Sequence, residues 1–153
     1  MAHYAQLNQE REIQTLEVGD TFTTVSRVVS QVDAEFFENA VGLTHPLFLS
    51  DEYAQSQGFK GRLVTGVFTF GLLMGLLYQA GLIRRGVFLG IEKARFPNPV
   101  RAGDSLGAEV EILNKRSTSK GGRVIVTYKW TLKNQNGEVA AEGENTCMFP
   151  AVK

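Results

Sequence analysis

The sequence predicts one α+β domain: a curved antiparallel sheet wrapped around a single long apolar helix. Three observations carry that prediction. Helical signals occupy the first half of the chain, four strand-like runs separated by turn signals occupy the second, and a continuous apolar stretch of helix length lies between them. The 153 residues suit a single domain, and 43% hydrophobic with 21% charged residues is enough apolar material to bury a core.

In chain order, residues 1–15 are polar and read as an N-terminal arm, leaving 16–150 as the domain. The opening MAHYAQLNQEREIQ has no apolar h-region, so no signal peptide is expected. Val18-Gly19-Asp20 leads into a β-rich run, Phe22 to Val29, read as the first strand. Asp33 is the expected N-cap of a short helix whose Phe36, Phe37, Ala40 and Val41 share one face and which Gly42 stops. A loop from Leu43 to Leu49 follows, then a second short helix opened by Ser50-Asp51-Glu52 and ending near Gly58.

The long helix is expected over Thr65–Ala80, with Gly81 at its C-terminal end. The enclosing stretch Leu63–Ile83 has the length of a membrane span. Its four glycines, the polar Gln79 and the strand-rich remainder of the chain favour instead a helix buried all round inside a globular core. Four strands then follow, Val87–Arg95, Ser105–Lys115, Arg123–Leu132 and Val139–Met148, separated by PNPVRAGD, STSKGG and NQNG.

Composition excludes several function classes. Sixteen Lys and Arg balance sixteen Asp and Glu, so the chain carries neither the basic footprint of a nucleic-acid binder nor a polybasic membrane patch. Cys147 is the one cysteine and can form neither an internal disulfide nor a thiolate metal site. That usage points to the cytoplasm. With only His3 and His45 present, a multi-histidine zinc site is not expected, and any catalytic imidazole falls to His45.

Six segments, in order, resemble the MaoC-like acyl dehydratase family, which includes the (R)-specific enoyl-CoA hydratases. They are LEVGD (16–20), VDAEFFENAVG (32–42), HPLFLSDEYA (45–54), GRLVTG (61–66), FPNPVRAGD (96–104) and NGEVAAEG (136–143). The resemblance implies the hot-dog fold and the hydration or dehydration of a 2-enoyl or 3-hydroxyacyl thioester carried on coenzyme A or acyl carrier protein. No metal or redox cofactor is implied. It also implies pairing, as a homodimer or higher homo-oligomer, or as a heterodimer with a catalytic hot-dog subunit.

Family members carry an Asp and a His in a loop reading GDxNPxHxD. Aligned on Gly42 and Pro46, that loop places Leu43 at the Asp position and Phe48 at the His position, and neither side chain can act as acid or base. The histidine usual before the central helix is Thr65 here. His45 remains as candidate general base, or as a plain loop residue. Gly66 matches the glycine whose N–H holds the thioester carbonyl in the family; it either does so here, among Thr65, Leu43 and Phe48, or packs the helix start against the sheet.

Other residues carry two readings each. Asp51 and Glu52 are either carboxylates that activate water or first-turn acids, while Tyr53 and Tyr78 read as packing residues. Lys60 and Arg62 meet coenzyme A phosphates or solvent. Asn98 and Asp104 read as turn residues, and Phe48, Phe59, Phe68 and Phe70 line an acyl tunnel or fill core. Three functions follow: a hydratase/dehydratase, a non-catalytic acyl-thioester-binding subunit, and a hot-dog thioesterase with a carboxylate such as Asp51 as base.

Overall fold

A computed structural model describes residues 12–151. In order they form a short 3-10 turn (Ile13–Thr15), β1 (Thr21–Thr23), β2 (Arg27–Val28), α1 (Gln31–Val41), α2 (Pro46–Leu49), α3 (Asp51–Ser56), α4 (Gly66–Gln79), β3 (Val87–Arg95), β4 (Ser105–Ser117), β5 (Arg123–Lys133) and β6 (Val139–Pro150). The sheet runs β1-β4-β5-β6-β3, with β2 also on β4, and every pairing is antiparallel.

The four late strands lie where turn chemistry places them, each within two residues of the expected bounds. Along β5 the alternate residues Val124, Val126, Tyr128, Trp130 and Leu132 are buried and their neighbours are not, as a strand with one covered face requires. They meet Leu106, Ala108, Val110 and Ile112 of β4, and Leu72, Leu73, Leu76 and Leu77 of α4. Trimming a fully buried member such as Leu73 to Ala would cost about 2–5 kcal/mol. Gly143 sits opposite Trp130, where a Cβ would stand 2.7 Å from the indole ring. The glycine closing the NGEVAAEG segment is therefore there for packing.

Four expectations are corrected. The first strand is broken into β1 and β2, because Thr24 replaces the ladder locally: its N–H donates to the Ala108 carbonyl at 2.8 Å while its Oγ1 accepts the Ala108 N–H at 3.0 Å. Ser30, not Asp33, caps α1, accepting the Asp33 N–H. The face assigned to α1 is also wrong. Ala34 and Glu38 are its buried residues, while Phe36 is 77% exposed and Val41 is exposed.

The fourth correction concerns α4. It is not buried all round, since Val67 and Tyr78 are exposed and a Cβ added at Gly71 or Gly75 would meet no atom of another described element within 4 Å. No described helix is long and apolar enough to cross a membrane. Most of the predicted arm lies outside the described residues. Its end, 12–15, is packed: Ile13 is fully buried and donates to the Leu82 carbonyl at 2.8 Å.

Candidate active site at the start of the central helix

Backbone hydrogen bonds draw three of the sequence segments together. The Leu63 N–H donates to the Leu47 carbonyl at 3.0 Å, tying α2 to the strand-like approach to α4. The Val64 N–H donates to the Val100 carbonyl at 2.8 Å, adding the PNPV turn. Asp51, opening α3, accepts the Arg62 N–H at 2.9 Å and its Nε at 3.1 Å. The point on which these ties converge is the Thr65–Gly66 step.

Thr65 is buried and caps α4, its Oγ1 accepting the Phe68 N–H at 3.2 Å. Gly66 is the first residue of that helix, so helix geometry leaves its N–H without an intrahelical partner, at the positive end of the dipole. The Phe96 ring lies over Gly66. A Cβ there would stand 3.1–3.3 Å from three ring carbons. Close packing is thus a sufficient reason for glycine at 66, and the same bare backbone admits close approach of an acyl group.

Leu43 lies in the loop between α1 and α2, 38% exposed, and Phe48 lies within α2, a helical turn inside the stretch expected as loop, half-buried. His45 lies between them and is exposed. Its Nδ1 accepts the Leu47 N–H at 3.1 Å as N-cap of α2, and its ring meets the Tyr53 and Phe48 rings edge-on. A neutral imidazole has one ring lone pair with which to take up a proton, and here the Leu47 N–H occupies it. Base chemistry by His45 would first have to break its own cap.

The other sequence candidates are mostly engaged elsewhere. Arg62 bonds Asp51 and reaches Glu35 at 2.6 Å, and its guanidinium holds the Asp51 carboxyl below the usual carboxylate range. Glu52 and Lys60 are exposed. Asp104 accepts the Arg101 N–H, a turn bond, and also a bond from the distant Gln135, while Asn98 donates to the distant Val139 carbonyl, tying its turn to the start of β6. The aromatic set does not form one wall: Phe68 rests on Phe37, Phe70 on Trp130 and Phe88, and Phe48 on His45, while Phe59 is partly exposed. Among the described residues, no cluster of three His, Cys, Asp or Glu side chains is arranged to hold a metal.

Two residues escaped the sequence reading. Phe96 is one. Glu38 is the other, a carboxyl 1% exposed whose Oε1 accepts the Thr65 N–H at 3.4 Å and whose buried Oε2 has no partner among the described residues. Burial pushes its pKa up, opposed by the Thr65 N–H and reinforced by Glu35. Its place inside a VDAEFFENAVG helix, where the apolar pattern runs along a neighbouring face, gave no signal.

The fold is that of the hot-dog proteins. The family model described as a MaoC like domain matches residues 12–134, and the chain belongs to that family. It is 29% identical over 128 residues to an (R)-specific enoyl-CoA hydratase of Rhodospirillum rubrum, covering 84% of this chain and 85% of that one. It is 28% identical over 137 residues to the (R)-specific enoyl-CoA hydratase of Aeromonas caviae, covering 90% and 98%. Among solved structures, the MaoC-like dehydratase from Rhodospirillum rubrum superimposes with a TM-score of 0.80 at 28% identity, covering 94% of this chain and 99% of that one.

Proposed function

We propose that this chain binds 2-enoyl and 3-hydroxyacyl thioesters, on coenzyme A or acyl carrier protein, and interconverts them by adding and removing water. The observation that supports this most is the Thr65–Gly66 step: a helix start whose first N–H has no intrahelical partner, in a chain similar to enzymes named (R)-specific enoyl-CoA hydratase. The carbonyl oxygen sits on the Gly66 N–H, which favours the enolate that forms as water adds to the β-carbon. Thr65, Leu43 and Phe48 border the acyl group. No metal or redox cofactor takes part. A single, buried cysteine is in keeping with a cytoplasmic location.

A second reading, a non-catalytic binding subunit, is favoured by Leu43 and Phe48 at the two positions where the family carries its acid and base. A thioesterase has less support, because Asp51 spends its oxygens on Arg62. Hydration of crotonyl-CoA by the purified chain, followed as loss of enoyl absorbance, separates the three. Turnover supports the hydratase, binding of butyryl-CoA without turnover supports the subunit, and release of free coenzyme A supports the thioesterase. Absence of both binding and turnover would defeat the proposal.

The chain pairs with a second copy through the β3 edge. Val87, Phe88, Leu89 and Ile91 are exposed on this outermost strand, which left open is a template for unspecific pairing. The open face of α4, with Val67 and Tyr78, adds apolar surface on the same domain. Light scattering at micromolar concentration is expected to give at least a dimer; a strict monomer would contradict the pairing.

A further inference from the structure

We propose that Glu38 is the group that moves the proton in this chain, a single carboxylate serving where the family's two acid–base positions hold Leu43 and Phe48. The inference rests on the hydratase reading above and assigns that reading its missing chemistry.

Glu38 is poorly explained as a structural residue. Among the described residues its one side-chain bond is the long contact to the Thr65 N–H, and the buried Oε2 has no partner there. A glutamine would accept the same bond through a neutral amide oxygen and avoid burying a charge, which is expensive unless paired. A carboxylate kept at such a place is better explained by what it does to a ligand. Its position fits: the Glu38 backbone carbonyl accepts the Leu43 N–H at 2.9 Å, one turn from the vacated Asp position, while the side chain reaches the residue that precedes Gly66.

The charged groups facing it come from two elements. Glu35 lies one turn back on α1, and Arg62 lies in the segment entering α4. Arg62 gives its guanidinium to Asp51 and Glu35, so it does not clamp Glu38 as a permanent ion pair. Burial, with Glu35, favours the protonated form and outweighs the Thr65 N–H and the Arg62 charge, which favour the carboxylate, so both forms that a proton carrier needs have support in the site.

The step balances with one carboxylate. Glu38 takes a proton from water as the water oxygen bonds to the β-carbon, and the π pair shifts through the α-carbon to the thioester oxygen on the Gly66 N–H. The protonated carboxyl then gives that proton to the α-carbon as the enolate collapses to the thioester. Water is consumed, H and OH add to one face, and Glu38 ends as it began. In the reverse direction the carboxylate takes the α-proton and returns it to the leaving hydroxyl. Both directions therefore start from the carboxylate, so kcat rises with pH along one ascending limb in each.

The test uses the full chain and Glu38→Gln, with crotonyl-CoA for hydration, 3-hydroxybutyryl-CoA for dehydration and butyryl-CoA for binding. Glu38→Gln is expected to lose roughly a hundredfold or more in kcat, to bind butyryl-CoA as the parent does, and to lose the ascending limb. A Glu38→Gln kcat within a few-fold of the parent overturns the proposal. If that variant fails to fold, the parent's profile decides: one limb, above the ordinary carboxylate range and shared by both directions, supports Glu38, and a flat or bell-shaped profile overturns it. A parent that binds butyryl-CoA without turnover overturns Glu38 and leaves the binding subunit standing. A parent that does neither removes the functional reading itself.

Discussion

The Phe96 ring covers the α-carbon of Gly66, close enough that a methyl group there would press on three ring carbons at 3.1–3.3 Å. Phe96 is itself 47% exposed, so the ring has room to swing outward. Gly66→Ala is therefore expected to fold, with a loss of about 1 kcal/mol or less, and to hydrate crotonyl-CoA at least tenfold more slowly. Comparing Gly66→Ala/Phe96→Ala with Phe96→Ala separates the two roles of the glycine. If Gly66 only makes room for the ring, the methyl costs nothing once the ring is gone. If a thioester must approach the backbone, the rate stays low.

Restoring the family's two acid–base positions gives a gain-of-function test. The parent chain is expected to hydrate crotonyl-CoA about a hundredfold more slowly than a relative with both groups, and Leu43→Asp/Phe48→His to recover part of the gap. Both sites are partly open, so the two substitutions together are expected to cost about 1–3 kcal/mol. A melting curve showing that the variant is folded must accompany its rate. A parent as fast as such relatives, inactivated by His45→Ala, would instead make His45 the base.

His45 is expected to behave as a cap. His45→Ala removes the acceptor of the Leu47 N–H and is expected to lose about 1 kcal/mol, lowering the melting temperature by a few degrees while leaving kcat within a few-fold. His45→Asn, which supplies a capping oxygen but no imidazole, is expected to restore the melting temperature. A variant with the cap restored and the rate abolished would contradict this reading.

Stability in acid is expected to depend on Glu12. Arg85 bonds both of its oxygens, at 2.8 and 2.6 Å, and these bonds hold its carboxyl below the usual value of 4.5 against the opposing effect of burial. A carboxyl lowered on folding contributes stability above its unfolded pKa, and that contribution fades as pH falls through the folded value. Glu12→Gln is thus expected to cost roughly 1–2 kcal/mol at neutral pH and progressively less below about pH 4. Melting curves across that range check it; a constant difference at every pH would count against the pair.

Much of the fold was legible because its signals are local. STSKGG and NQNG each close a hairpin, and the residues between them alternate with the sheet's period of two, so β4, β5 and β6 could be placed almost to the residue. Gly81 was legible for the same reason: with φ of +81° it ends α4 where a left-handed residue is needed. What failed depended on distant partners. The break between β1 and β2 comes from Thr24 bonding Ala108, far along the chain. The inward face of α1 was misread because its buried stripe contains Glu38, whose Oε1 accepts the Thr65 N–H from across the fold, and no periodicity of apolar residues reports a buried carboxyl.

The site was legible in the same uneven way. Family motifs pointed to Gly66 and showed that Leu43 and Phe48 lack the usual chemistry, but FPNPVRAGD read as a turn did not show that its Phe96 roofs the helix start. His45 stood out as the only imidazole of its loop, yet its one free lone pair serves the backbone.

The Gly66 N–H as the seat of the thioester carbonyl is tested most directly by its amide resonance. In protein labelled at glycine nitrogen, titration with butyryl-CoA, which binds without reacting, is expected to shift the Gly66 amide proton strongly downfield, as a new hydrogen bond does, and to move the distant Gly121 and Gly137 little. Saturable binding of butyryl-CoA that leaves the Gly66 resonance in place would contradict it.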